Sequence, residues 1–512
     1  MGDLAAFINI IYQTNNLTEI INQVKLKPEL TLIYPDSIHE VNGSYVFLIK
    51  SNFGKNLVVT GADSDIFQEI SGDIREEKNV SLKYCPLTVA NSRVIRRYFP
   101  FTNPVSLSNR DITVGLGDRL GLATPGLLSL LKGLNVSPFL AQQSIRELNI
   151  TGRNYHEILA DAVWAVFQTD FQDGFGADGD HLKTIKDIKT IIDIGYTKVT
   201  LDCSDCISNL QSKSIETIQE IYSNFDQSLR RSLEARFSGK NIAIGSLSMY
   251  YTPGLLRYFT ATYQKAINFI IQVYDELIKP VGQIDLEISL DEIQAPTDPI
   301  AHFFIAQQLM EAGVKVISLA PRFSGELQRG IDYIGDIKQF EKEYYEHEQI
   351  ARYFGYKLSL HYGSDKFSLY TVISRESKRF HFKTAGTHWL EAIRVIIEKE
   401  PALYRQIHLF VLKNLEEVKK FYPISLEPDK VPDIFKLSDE GLKDLMNQND
   451  TRQLIHAAFG LIMQLKDELG RYIFRNRIYE ILQKNESLYA TFLKKNLGKH
   501  LEKLGIEKGN RN

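Results

Sequence analysis

Apolar and polar positions alternate with period 2 at residues 357–361, where Leu358 and Leu360 alternate with Lys357, Ser359 and His361. Such a run is a strand with two unlike faces, the apolar one destined for helices. It leads into Gly363, Ser364, Asp365 and Lys366, a tight polar turn. Comparable strand-like runs are Ile112–Gly117, Ser137–Gln143, Gly174–His181, Thr197–Asp202, Ile284–Leu290, Lys315–Ala320 and Arg379–Thr384. Helical spacing falls between them: from Pro125, over Tyr155–Phe167, from Thr184, over Tyr258–Leu277, from Asp298-Pro299 and over Thr387–Glu398. Eight strand–helix repeats predict an α/β chain folded as a (β/α)8 TIM barrel. An open doubly wound sheet would need continuous apolar strands, buried on both faces. These strands carry polar residues at every second position, which suits a lumen that holds a site.

The flanks read differently. Residues 1–108 predict an α+β domain, with a helix over Leu4–Gln23 and strands over Leu30–Tyr34, Ser44–Lys50 and Asn56–Thr60. The barrel is expected over 109–400. Residues 401–512 predict a charged helical region, with candidates Tyr404–Tyr422, Leu437–Met446, Thr451–Leu469 and Arg471–Lys484 and a frayed end, EKGNRN. Pro423, Pro428 and Pro432 mark a loop among them.

With the apolar set outward, the inward set is Asp178 and Asp180; Thr200 and Asp202; Glu287, Ser289 and Asp291; Ser318 and Arg322; Lys357, Ser359 and His361; and His381 and Lys383. His181 stands where its strand ends. Buried charges must pair, bind metal or meet a charged substrate. Ion pairs that merely fill the barrel, Glu287 with Lys357 for instance, are the plain alternative, yet layers that need only filling are mostly aliphatic. An imidazole and a carboxylate at neighbouring strand ends suit a divalent cation such as zinc, manganese or nickel. His181, Glu287 and His361 are the candidate ligands, with Glu292 as another oxygen source. Asp180, Asp291 and Glu292 are candidates for moving protons. Protonated His361 could instead hold a substrate carboxylate. Arg146, Arg322, Lys366 and Lys383 are candidates for an anion, as is the start of the last barrel helix at Gly386-Thr387-His388. Asp118, Arg119, Gln143, Ser144 and Thr200 complete the candidate substrate contacts.

Composition narrows the class. Hydrophobic content of 44% and charged content of 24% are those of a soluble globular protein. A net charge of −3 lacks the basic excess of a nucleic-acid binder. Three cysteines cannot build a disulfide framework, which favours the cytoplasm. No run approaches the ~20 apolar residues of a membrane helix, and the opening residues do not read as a signal peptide. Cys203 and Cys206 form a lone CxxC without a second ligand pair. Gly115 to Gly121 misses the dinucleotide fingerprint by one residue, and GxxxxGK[ST], HExxH and GxSxG are absent. Neither oligomeric state nor the role of residues 1–108 follows from the pattern.

Longer motifs add a resemblance. GLGDRLGLATPG at 115–126, QQSIREL at 142–148, GADGDHLKT at 176–184 and LEISLDE at 286–292 come in the order found in the tagaturonate epimerase family. So do SLAPRFSGELQRGIDYIGD at 318–336, KLSLHYGSDKFSLY at 357–370 and FKTAGTHWLEAIRV at 382–395. The chain departs from that family at Cys203, where proline is expected. The resemblance implies a metal-dependent isomerase that interconverts D-tagaturonate and D-fructuronate in hexuronate breakdown, with a keto-uronate as its small-molecule substrate. The chain is also distantly similar to class II aldolases, with Asp180-His181 and His361-Tyr362-Gly363-Ser364 in the places of their Asp-His pair and His-Gly turn. The two sugars differ at the carbon beta to the ketone, whose C–H is not acidic. Retro-aldol cleavage, rotation of the aldehyde and re-addition would invert it. The carboxylate then needs a cationic partner, for which Arg322, Lys383 and His361 are candidates.

Overall fold

The computed structural model describes residues 2–507 apart from 15, 28, 29, 31, 52, 53, 78, 422 and 423. The expected fraying from Lys508 onward, and the Tyr422 end of one expected helix, lie outside the described residues.

The chain opens with two helices, Gly2–Gln13 and Leu17–Leu26, where the sequence predicts one. Asn16 makes the break, since its side chain accepts the Glu19 N–H and caps the second helix. An antiparallel sheet follows, formed by β1 (His39–Val41), β2 (Ser44–Ser51), β3 (Gly54–Val59), β4 (Asp73–Glu77) and β5 (Val80–Pro86), in the order β1-β2-β3-β5-β4. The expected strand near residue 33 is only a bridge from Ile33 to Ile49. Asn42 and Gly43 both take positive φ (49° and 76°), the conformation a two-residue hairpin loop requires. One face of the sheet (Val46, Leu48, Leu57 and Val59) packs on Val163, Trp164 and Phe167, and the other (Phe47 and Val58) on Phe7 and Ile8.

The barrel strands are β6 (Ile112–Leu116), β7 (Ser137–Gln143), β8 (Gly176–Leu182) and β9 (Lys198–Asp202), then β12 (Asp285–Ser289), β13 (Ser318–Ala320), β14 (Lys357–Leu360) and β15 (Phe380–Thr384). They close as β12-β13-β14-β15-β6-β7-β8-β9, and every neighbouring pair is parallel. The eight expected strands are therefore present, in a (β/α)8 barrel. Between β9 and β12 the chain adds helices Ile215–Ser223 and Gln227–Phe237 and a hairpin, β10 (Asn241–Ile244) with β11 (Leu247–Tyr250). The pattern there reads as helical, and the hairpin is a departure from it. Its two-residue turn is allowed by Gly245 at φ 54°.

Helix Tyr155–Thr169 is apolar nearly all round because it serves two cores. Ile158, Leu159, Ala162 and Ala165 face the barrel, while Ala160, Val163, Trp164 and Phe167 face the N-terminal sheet. The C-terminal helices are shorter than their patterns suggest. The expected Tyr404–Tyr422 helix breaks into Pro401–Lys413 and Leu415–Phe421, and Thr451–Leu469 into Asn449–Ala457 and Phe459–Gln464. Arg475–Lys484 is followed by Glu486–Lys503, which the pattern missed. That last helix returns to the barrel, where Gly126 lets Ala490 approach closely. Among the described residues no helix is long and apolar enough to cross a membrane.

Candidate active site

The lumen is polar from bottom to top. At the bottom, the Asp285 carboxylate accepts from Ser106 Oγ (2.6 Å) and Leu107 N (2.7 Å), and Lys357 Nζ donates to Arg110 O and Thr113 Oγ1. The expected pairing of Lys357 with Glu287 is therefore not made. Glu287 lies higher, 3.2 Å from Lys198 Nζ and 2.8 Å from Lys383 Nζ. Lys198 also reaches Asp178 (3.3 Å), and Lys383 also reaches Asp178 (3.2 Å), Asp180 (2.7 Å) and Thr200 Oγ1 (2.7 Å). Two ammonium groups thus hold three buried carboxylates together. Lys198 shares its face with Thr200 and Asp202, so alternation could have found it.

At the top, β8 departs from alternation. Its pairing with β9 runs Asp178↔Lys198 and Gly179↔Val199, then jumps to Leu182↔Leu201. Two residues therefore oppose Thr200, and His181 takes φ 53°. This is a β-bulge, the device that re-aims a side chain beside a site. It turns Asp180 and His181 toward one point, which strict alternation forbids.

His181, Asp291 and His361 offer ligand atoms that all lie within 4.8 Å of one another. His361 Nδ1 is 2.9 Å and His181 Nε2 3.9 Å from Asp291 Oδ1. On their far sides, His181 Nδ1 lies 3.0 Å from Asp180 Oδ1, and His361 Nε2 lies 2.8 Å from Glu287 Oε1. An ionised carboxylate only accepts, so those nitrogens donate, leaving His181 Nε2 and His361 Nδ1 as lone pairs. His181 Nε2 and Asp291 Oδ2 are buried without a hydrogen-bond partner, and His361 Nδ1 meets only Asp291 Oδ1. Imidazoles backed by carboxylates, with a third oxygen donor, fit a divalent cation. The surrounding carboxylates favour positive charge at this point, carried by protons on the rings or by a metal ion that displaces them. Burial opposes charge on His181, yet Asp180 and Asp291 push it up to about 10. Burial likewise opposes charge on His361, and Asp291 and Glu287 raise it. Burial would raise Asp291, but His361 and His181 hold it at about 2.

Glu287, expected among the ligands, lies beneath this triad in a second group with Asp178 and His381. Lys198 and Lys383 already neutralise that group. Asp180 is held between His181 and Lys383, whereas Glu292 is 41% exposed, accepts from the Tyr362 hydroxyl and stands 4.0 Å from His181 Nε2.

A cavity of about 580 Å³ opens above the triad. Of the expected substrate contacts, Arg119, Ser144, Arg146, Lys366 and Lys383 line it. Five do not. Asp118 instead accepts the N–H groups of Leu122, Ala123 and Thr124, beginning the next helix. Gln143 is buried, and Gln142 lines the cavity in its place, β7 having its own irregularity at Ala141 (φ 56°). Thr200 bridges carboxylates inside the lumen. Arg322 lines a neighbouring recess of about 240 Å³. His388 Nδ1 donates to Gly117 O at 2.7 Å. Lys366 reaches the cavity wall, but its ammonium is spent on the carbonyls of Gln328, Ile331 and Ser364, and burial pushes it down to about 8. The cavity also takes in Lys183, Arg329, Tyr362 and His456, which no local pattern marked.

The family model for tagaturonate epimerase matches residues 34–504. The chain belongs to the tagaturonate epimerase family. Membership places it among the epimerases, enzymes of the isomerase class. It is 38% identical over 475 residues to the tagaturonate/fructuronate epimerase of Thermotoga maritima, covering 92% of this chain and 96% of that one. A glycerol-complexed crystal structure of the fructuronate-tagaturonate epimerase of Cohnella laeviribosi superposes with a TM-score of 0.90 at 40% identity, covering 96% of this chain and 99% of that one. The native structure of that epimerase gives a TM-score of 0.89 over 96% of this chain and 100% of that one, again at 40% identity.

Proposed function

We propose that this protein interconverts D-tagaturonate and D-fructuronate by retro-aldol cleavage and re-addition, using a divalent cation such as zinc, manganese or nickel held by His181, Asp291 and His361. The observation that carries this reading is the convergence of His181, Asp291 and His361 at the barrel mouth, with both imidazoles oriented from behind by carboxylates. A bound divalent ion supplies a Lewis acid for the ketone and the neighbouring hydroxyl.

The protein's own groups do the rest. Glu292, on the cavity edge, takes the proton of the hydroxyl on the carbon beta to the ketone. That hydroxyl becomes an aldehyde as the bond between the alpha and beta carbons breaks and its electron pair moves toward the ketone oxygen. The aldehyde turns over within the cavity, the bond re-forms on the opposite face, and Glu292 returns the proton. Asp180 and Glu287 hold the imidazole orientations, and Lys383 steadies Asp180. This role for Asp291 replaces Glu287 as the oxygen donor and leaves Glu292 as the proton carrier.

We assign the chemistry to residues 109–400, with residues 1–108 and 401–512 as flanking domains, and place the protein in the cytoplasm because Cys85, Cys203 and Cys206 are all free thiols. The test is proton NMR of tagaturonate with chelator-stripped protein, alone and with manganese, nickel or zinc. Fructuronate should appear only after a metal is restored. Full turnover by the stripped protein would remove the metal from the mechanism, and release of two fragments would make the protein an aldolase.

A further inference from the structure

The cavity has a second end, and its chemistry is opposite to that of the triad. Arg119, Arg329, Gly386 and His456 line the same cavity as His181 and His361. Arg119 is 3% exposed and held on two sides. Its Nε and Nη2 grip Glu147 Oε1 at 2.8 and 2.6 Å, and its guanidinium lies 4.9 Å from the Phe459 ring centroid. Its Nη1 is buried with no partner. His456, on helix Asn449–Ala457, is 1% exposed, and its Nδ1 also lacks a partner. The ring rests on Gly386, where any side chain would collide with Nε2. Gly386 begins the 14-residue helix Gly386–Lys399, which no side chain caps, so its first N–H groups remain available. Burial first, and then Arg119, Arg329 and Arg452, keep His456 neutral. The wall thus combines guanidinium groups, that of Arg119 already paired with Glu147, with unmet polar atoms, a cost that a structure bears when a ligand supplies the missing partner.

The partners expected from sequence for the substrate carboxylate are committed elsewhere. Lys383 is shared among Asp178, Asp180 and Glu287; Arg322 lies in the neighbouring recess; His361 belongs to the triad. Lys183, on the cavity rim, pairs with Asp205 at 2.8 Å. Resting on the epimerase reading above, we propose that Arg119 and His456, at the amino end of helix Gly386–Lys399, hold the carboxylate of the keto-uronate while its ketone end lies at the triad. The C-terminal helical region then contributes directly to substrate selection.

The experiment uses the metal-loaded full-length enzyme. KM and kcat are measured for tagaturonate, together with the inhibition constant of D-tagatose, the same chain with a hydroxymethyl group in place of the carboxylate. His456→Leu and Arg119→Lys should each raise the KM for tagaturonate about tenfold or more, while the D-tagatose constant moves less than about threefold. His456→Asn, which keeps a donor near Nδ1, should recover most of the loss. Arg119→Lys keeps a cation beside Glu147, and melting temperatures near wild type for either single variant make the comparison valid. Equal losses on both compounds would show a merely structural role and overturn the proposal. So would an effect confined to kcat, or selective loss in Arg146→Ala with none in the wall variants. If wild type turns over no tagaturonate, the epimerase reading itself fails and this proposal falls with it; if wild type turns over and the wall variants show no selectivity, only this proposal falls.

Discussion

His361 Nε2 donates to Glu287 Oε1 at 2.8 Å, on the far side of the ring from the point where His361 Nδ1, His181 Nε2 and the Asp291 carboxylate converge. The bond fixes both the tautomer and the tilt of the ring. Glu287 is itself immobilised by Lys198, Lys383, Thr200 and Ser318, so the lumen's ion-pair lattice acts as the platform for the site.

Glu287→Gln should therefore weaken metal binding without removing a ligand. Loss of a carboxylate behind a ligating imidazole costs ~10–100-fold in metal affinity. Equilibrium dialysis against buffered metal checks this, and unchanged affinity would detach Glu287 from the site.

Glu292→Gln separates proton transfer from metal binding. Removing a positioned general base lowers turnover ~10²–10⁴-fold. Metal content, read by elemental analysis, should stay at the wild-type level. A variant with near-normal kcat would return the proton to Asp180 or Asp291.

Lys198→Met tests the lattice. The ammonium sits between Asp178 and Glu287, all three fully buried. Removing one partner of a buried ion cluster costs ~3–5 kcal/mol, so the denaturant midpoint should fall markedly. Little change would mean that Lys383 alone neutralises the set.

Acid should destabilise the fold through a histidine pair away from the site. The Tyr356 hydroxyl donates to His302 Nε2 (2.5 Å), His302 Nδ1 donates to His347 Nδ1 (2.9 Å), and His347 Nε2 donates to the Thr297 carbonyl (3.1 Å). Burial pushes His347 down to about 4 and His302 well below its usual value. The unfolded chain takes up these protons near pH 6.5, whereas the folded chain takes up that of His347 only near pH 4 and also resists charging His302. The His347 contribution is thus complete above pH 6.5 and lost as pH falls toward 4. Melting curves across that window should show a shallower slope for His347→Gln than for wild type.

The order of eight strands and helices was determined by sequence alone, because each strand's alternation declares which face must meet apolar helices. The polar lumen followed from the same parity: Asp178, Thr200, Glu287, Lys357, His361, His381 and Lys383 are all buried in the barrel. Only the tertiary structure decided which of them act together. The bulge in β8 rotates His181 into the site against its parity, and a local break in the ladder leaves no periodic trace. Ion pairs across the lumen assign Glu287 to the lattice and bring Asp291 to the triad, a choice set by strand stagger around a closed cylinder. His456 reaches the cavity because the last helices fold back over the barrel mouth. Residues 70 positions apart, such as Gly386 and His456, come into contact through packing that no local pattern encodes.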